Sequence, residues 1–178
     1  MPHAIFHILI AIFIADFIRL YIVKDKKKFP FHYVFIAGIA GALPDIDVIV
    51  FWVLYFFGFS LEEVHRTFTH TLLFPLIAVI CSGATWNLKD KTVGKRHMKW
   101  HIIFLMIALG LIVHLVLDAT IAGKIAPFYP FSHFSMGLNL ENYLPFALQG
   151  LFEPSLDAGI FILWLFWLEY KHKISDFV

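Results

Sequence analysis

The sequence predicts an all-α fold: a polytopic bundle of about five membrane-spanning helices, one domain over residues 1–178, with the second span broken at 43–47. Three observations predict it. Hydrophobic residues make up 60% of the 178-residue chain and charged residues 15%, whereas soluble domains are roughly 45–50% apolar. A soluble domain of this length cannot hide that much apolar surface, and lipid accepts it. Five apolar runs also follow one another, and a span needs roughly 20 predominantly apolar residues. Finally, the basic clusters between the runs all fall on one side if the chain crosses five times.

The first run covers residues 4–23 and ends at the basic stretch Lys24-Asp25-Lys26-Lys27-Lys28. No basic region or small-residue cleavage site precedes it, so it reads as a span rather than a cleaved signal. The second run, 33–57, is interrupted by Leu43-Pro44-Asp45-Ile46-Asp47. A polar connection, 60–69, leads to the third run, 70–86, and a basic loop, 87–99, to the fourth, 100–122. A loop rich in Pro, Phe and Ser fills 123–154. The last run, 155–168, is short for a span and is closed by Lys171-His172-Lys173. The positive-inside rule puts the three basic clusters in the cytoplasm, the N-terminus outside and the C-terminus inside. Net charge is +1, which gives no argument for a nucleic-acid partner. The single cysteine, Cys81, lies in an apolar run and reads as a small buried hydrophobe.

Seven metal-competent residues share the outer side of this topology: His7, Asp45, Asp47, His65, His70, His114 and Asp118. His114 and Asp118 are four apart and share a helix face, so they can grip one ion. Imidazole with carboxylate suits zinc, manganese or iron. Asp45 and Asp47 are two apart and would diverge on a regular helix. Pro44, with Gly38 and Gly41 upstream, makes a break that could turn both inward. A carboxylate deep in a span costs roughly 2.5–3.5 kcal/mol, and no Lys or Arg close in sequence offsets it; a metal would. His65 and His70 straddle a helix start, one from the loop and one from the first turn. The bland alternatives are a water-exposed loop at 43–47, a neutral hydrogen-bonded pair for His114 with Asp118, and an interfacial residue for His7.

Other polar residues have simpler readings. Asp16 lies on the opposite face from His7, with Arg19 one turn on, which predicts a local ion pair with a snorkelling arginine. His97 and His101 have ligand spacing but fall on the cytoplasmic side. His133, Glu141, Glu153 and Asp157 are on the outer side without partners at defined spacing.

The segments "HILIAIFI", "GALPDID", "HRTFTHTL", "HLVLDA" and "YPFS", in this order, resemble the YdjM-like family of membrane-bound metal-dependent hydrolases. The resemblance runs from His7 to about Ser132. It marks the same seven residues as the polar set, with departures at Val48 and Thr67, where many members carry His and Gly. The set is similar, more distantly, to the zinc-dependent phospholipase C group, whose helical His-x-x-x-Asp matches His114-Leu-Val-Leu-Asp118. The resemblance implies hydrolysis of a phosphoester in a lipid-like substrate, with a divalent metal, zinc favoured, one or two ions, and membrane lipids as partners. Asp47 or Asp45 is then the candidate general base, and Arg66 the group that holds a phosphate.

A metal or proton transporter would use the same residue types. A transport path needs polar groups toward both faces, and the inner halves of the runs are nearly bare. A third reading is a structural membrane protein whose polar cluster only joins helices.

Overall fold

Helices satisfy every backbone polar group internally, which lipid demands, so the apolar runs become helices. The computed structural model describes residues 4–60, 64–65, 68–88, 92–93 and 98–177. Helix α1, Ala4–Phe17, continues into wider π-helical turns, Ile18–Val23, which stop at Lys24 in the left-handed region (φ 60°). Helix α2, Phe31–Ala42, starts after Pro30. Pro44 has no N–H to give the next turn. The chain tightens there into a 3₁₀ turn, Pro44–Ile46, and resumes as α3, Asp47–Tyr55, bent by 48° from α2. Helix α4 is Leu73–Thr85. A small hairpin, β1 Thr92–Val93 with β2 Met98–Lys99, leads into α5, Trp100–Leu117, which also widens into a π-helical segment, Asp118–Ala122. After a 3₁₀ turn at Leu140–Tyr143, α6 runs over Phe146–His172.

Among the described residues, three helices are long and apolar enough to cross a membrane: Ala4–Val23, Trp100–Ile121 and Phe146–His172. The bent pair α2 and α3 makes a fourth if the two helices together form one span. The break expected at 43–47 is therefore present. Two expectations need correction. The third run does not give a full-length span, because α4 has 13 residues and rises only about 20 Å. It starts at Leu73 rather than His70 because the residues before it spend their polar groups elsewhere. Thr71 Oγ1 donates to the Phe68 carbonyl (3.2 Å), and the Leu72 N–H reaches the Pro127 carbonyl (2.9 Å). The last run is not short. Its helix begins nine residues before Ser155 and carries Pro154 in its interior.

Helix α2 packs between α1 and α5, α4 lies against α5, and α6 lies along α1. The core where α1 and α2 meet is apolar, with Leu9, Ile12, Ala15, Tyr33, Val34 and Ala37 buried. Glycine sets the closest approach. A Cβ on Gly110 would collide with the Ala37 carbonyl oxygen and the Gly41 nitrogen, and one on Gly41 would meet the His7 carbonyl oxygen at 2.9 Å. The absence of these side chains lets α1, α2 and α5 converge just below the polar cluster.

Lys24–Lys28, Lys99 and Lys171–Lys173 share one end of the bundle. The Lys99 N–H donates to the Tyr33 hydroxyl, Lys171 Nζ sits 5.2 Å from the centroid of the Tyr21 ring, and His172 packs edge-on against Phe31. Asp16 is buried at that end and pairs with Arg19 at 3.4 Å, as expected. Arg19 does not snorkel, however. It is buried, and its Nε donates to the Phe29 carbonyl (3.1 Å). Asp16 also accepts from Trp167 Nε1 and pairs with His172 Nε2, each at 2.8 Å, which pins α6 to α1. The end that carries these basic residues is thus less bare than its sequence suggests.

Candidate metal centre

Each part of the chain brings the seven residues to the opposite end of the bundle. His7 comes from the second turn of α1, and Asp45 from the 3₁₀ turn that Pro44 forces. Asp47 opens α3, His65 and His70 lie in the connection before α4, and His114 and Asp118 share one face of α5. Six of them are at most 8% exposed, and Asp45 is the most open, its side chain 25% exposed. His65 and His70 both belong to the connection, so neither occupies the first turn of α4. The 3₁₀ turn does turn both aspartates inward, as the proline predicted.

The centre has an inner set of atoms and a supporting set behind it. His70 Nε2 is 3.1 Å from His114 Nε2 and 3.3 Å from Asp118 Oδ2. His114 Nε2 is 3.7 Å from the same oxygen, and Asp45 Oδ1 is 3.6 Å from each of the two Nε2 atoms. Adjacent ligands 2.0–2.1 Å from a tetrahedral ion lie about 3.3 Å apart. The ring of His7 stacks on that of His114 with centroids 4.0 Å apart, and its Nε2 is 3.3 Å from Asp118 Oδ1. Neither nitrogen of this buried imidazole is hydrogen-bonded among the described residues.

Behind the rings, His114 Nδ1 faces the Gly41 carbonyl oxygen at 2.7 Å. It must donate there, so its Nε2 carries a lone pair in the neutral ring. His70 Nδ1 faces Asp47 Oδ2 at 3.3 Å, with the same consequence. Two lone pairs would then meet at 3.1 Å, an arrangement relieved by a proton on one ring or by a metal ion between them. Asp47 stands behind the centre: His65 Nδ1 lies 2.9 Å from its Oδ1, and Thr69 Oγ1 donates to its Oδ2 at 2.7 Å. A carboxylate that orients a ligating imidazole from behind is the usual support for a metal site.

Among the described residues, three overlapping trios could hold an ion: His7, Asp45 and His114; Asp45, His65 and His70; and His70, His114 and Asp118. Within each trio the ligand atoms all lie within 4.8 Å of one another. Four imidazoles and two carboxylates without sulfur suit zinc, manganese or iron, so the residues fit a divalent metal.

Arg66 lies outside the described residues, as does His97. His101 sits at the other end of α5, its ring against Trp86. His133 packs on Tyr129, Asp157 accepts from the Phe6 N–H at 3.0 Å, and Glu153 is buried in α6. None of these three, nor Glu141, joins the trios. Sequence reasoning missed Thr69 and the Gly41 carbonyl. Thr69 adjoins His70, the one available signal for it. The Gly41 carbonyl is recognisable only once Gly110 has brought α5 against α2.

The fold and the site define a helical membrane protein with a buried His/Asp centre at one end of its bundle. The chain belongs to the YdjM inner membrane protein family, whose model matches residues 1–174. No curated protein and no solved structure matches it.

Proposed function

We propose that the chain is a membrane-embedded, metal-dependent hydrolase that cleaves a phosphoester of a lipid-like substrate at the outer face of the membrane. The observation that carries this reading is the inner set of His70, His114 and Asp118, with ligand atoms 3.1–3.7 Å apart, and Asp45 Oδ1 3.6 Å from both Nε2 atoms. His70, His114 and Asp118 would hold the metal, zinc first, with His7 and His65 at its flanks and Asp45 beside it to meet the bound water. A bound divalent metal supplies a water of lowered pKa and charge to match a phosphoryl oxygen.

The chain's own groups do the rest. Asp47 and the Gly41 carbonyl fix the rings of His70 and His114. Both carboxylate oxygens of Asp47 are engaged by His65, His70 and Thr69, so Asp45, the most open of the seven, is the better placed base. It would take the proton from the attacking water. Arg66 would hold the phosphate.

A transport path finds less support, because the centre and the Asp16 cluster are about 13 Å apart along α1. The buried core between them is apolar, with Leu9, Ile12 and Ala15.

The test is release of phosphate or headgroup from a panel of lipids and nucleotides by protein in nanodiscs. We expect turnover that a chelator and His114→Ala both abolish. Turnover surviving both belongs to a contaminant. Bound metal without turnover on any substrate would remove the hydrolase and leave transport or structure.

The side is tested separately. Single cysteines placed at Lys28, Lys95 and Lys173, in a Cys81→Ser background, are expected to react with impermeant maleimide only after the cells are opened. Reaction of Lys95→Cys on intact cells would put the centre on the cytoplasmic side.

A further inference from the structure

A groove of about 340 Å³ lies between α4 and α5, within the size range of small-molecule sites. Leu43 and Thr69 bound it at the end nearest the metal centre. Ala78 and Leu111 are buried in its wall, and it extends to Cys81 and Phe104. Its position is not independent of the centre. The hydroxyl of Thr69 contacts Asp47 at 2.7 Å and His70 Nδ1 at 3.1 Å, and Leu111 lies one turn before His114 on α5. From Leu111 to Phe104 the groove follows α5 for about 10 Å.

The groove is polar at one end and apolar along the rest. Apart from the thiol of Cys81, the Thr69 hydroxyl is the polar side-chain group in its lining. Its occupant should match that polarity, with a polar head at Thr69 and a hydrocarbon tail running toward Cys81. A soluble nucleotide or sugar phosphate would leave the apolar walls without a partner. We infer that the groove between α4 and α5 receives a hydrocarbon chain of a phosphate-bearing lipid, and that this chain sets the lipid's headgroup against the metal centre. The inference rests on the hydrolase reading and narrows its substrate to lipids that carry a long chain. Binding energy from the chain, remote from the reacting bond, would then position that bond.

Cys81 is the only cysteine, which makes the groove addressable. The probe is phosphatidylglycerol carrying a diazirine near the end of one acyl chain, at low mole fraction in phosphatidylcholine nanodiscs containing the full chain. Photolabelling is expected to saturate and to concentrate on α4 and α5 around Cys81 and Phe104. Cys81→Trp, or alkylation of Cys81 in the folded wild type, should reduce that labelling several-fold, while Cys81→Ser leaves it unchanged. The alkylated wild type answers the concern that the tryptophan variant misfolds. Labelling that rises linearly with probe and is no denser on α4 and α5 than on the outer face of α6 would overturn the inference and mark the groove as ordinary lipid contact.

Headgroup release measured in the same nanodiscs separates the two readings. Saturable groove labelling with no chelator-sensitive release keeps the groove and removes the hydrolase. Release that continues undiminished from long-chain lipid in the alkylated protein keeps the hydrolase and removes the groove.

Discussion

Protein purified with His114→Ala or Asp118→Ala is expected to lose its bound divalent metal, while His101→Ala keeps the wild-type amount. The two site residues face one another on a single turn of α5, and both point at His70. Removing either leaves the other donors short of one ligand and leaves a buried polar group with less compensation. His101 lies on the same helix at the opposite end, so its variant controls for nonspecific damage to α5. Metal analysis on detergent-purified protein, scaled to protein concentration, reads the result. Equal metal in all three variants would rule out a centre built on His114 and Asp118. A loss confined to zinc, with manganese or iron never present, would identify the ion.

Asp45→Asn is expected to lower turnover by about 10²–10⁴-fold, the usual worth of a general base. Asparagine keeps the size of the side chain but cannot accept the proton. Asp47→Asn should behave differently. Asp47 faces His65 Nδ1 and His70 Nδ1, so its loss loosens two rings. Metal affinity should fall about 10–100-fold, with activity recovering in excess metal. Turnover at saturating metal separates the two, since added metal rescues Asp47→Asn and leaves Asp45→Asn inactive. The reverse pattern would make Asp47 the base and Asp45 the support.

The parts of the molecule legible in sequence are those that depend on local chemistry. Pro44 announced the break in the second span because a missing N–H acts on its own helix. The spacing of His114 and Asp118 announced a shared face because four residues make about one turn. What could not be read depends on how helices rotate against one another. α1 and α5 are apolar nearly all round, so their sequences carry no stripe to say which side faces inward. The pairing of Asp16 with Trp167 and His172 spans more than 150 residues and has no local trace. The early start of α6 was hidden by Gln149, Gly150, Glu153 and Pro154, which interrupt the apolar run without ending the helix. The start of α4 differs for the opposite reason: its apolar run begins at His70, before Thr71 and Leu72 have committed their polar groups elsewhere, while its end agrees with the run to within a residue.

The shortness of α4 bears on the surrounding bilayer. A helix rising about 20 Å stands beside neighbours long enough for the full hydrocarbon thickness of roughly 30 Å. Such a mismatch is relieved by thinning the bilayer locally, at a modest cost per ångström. The thinning would fall on the α4 side of the bundle, where the groove opens. Lipid headgroups on that side would sit deeper than elsewhere and bring water with them toward Thr69 and the metal centre.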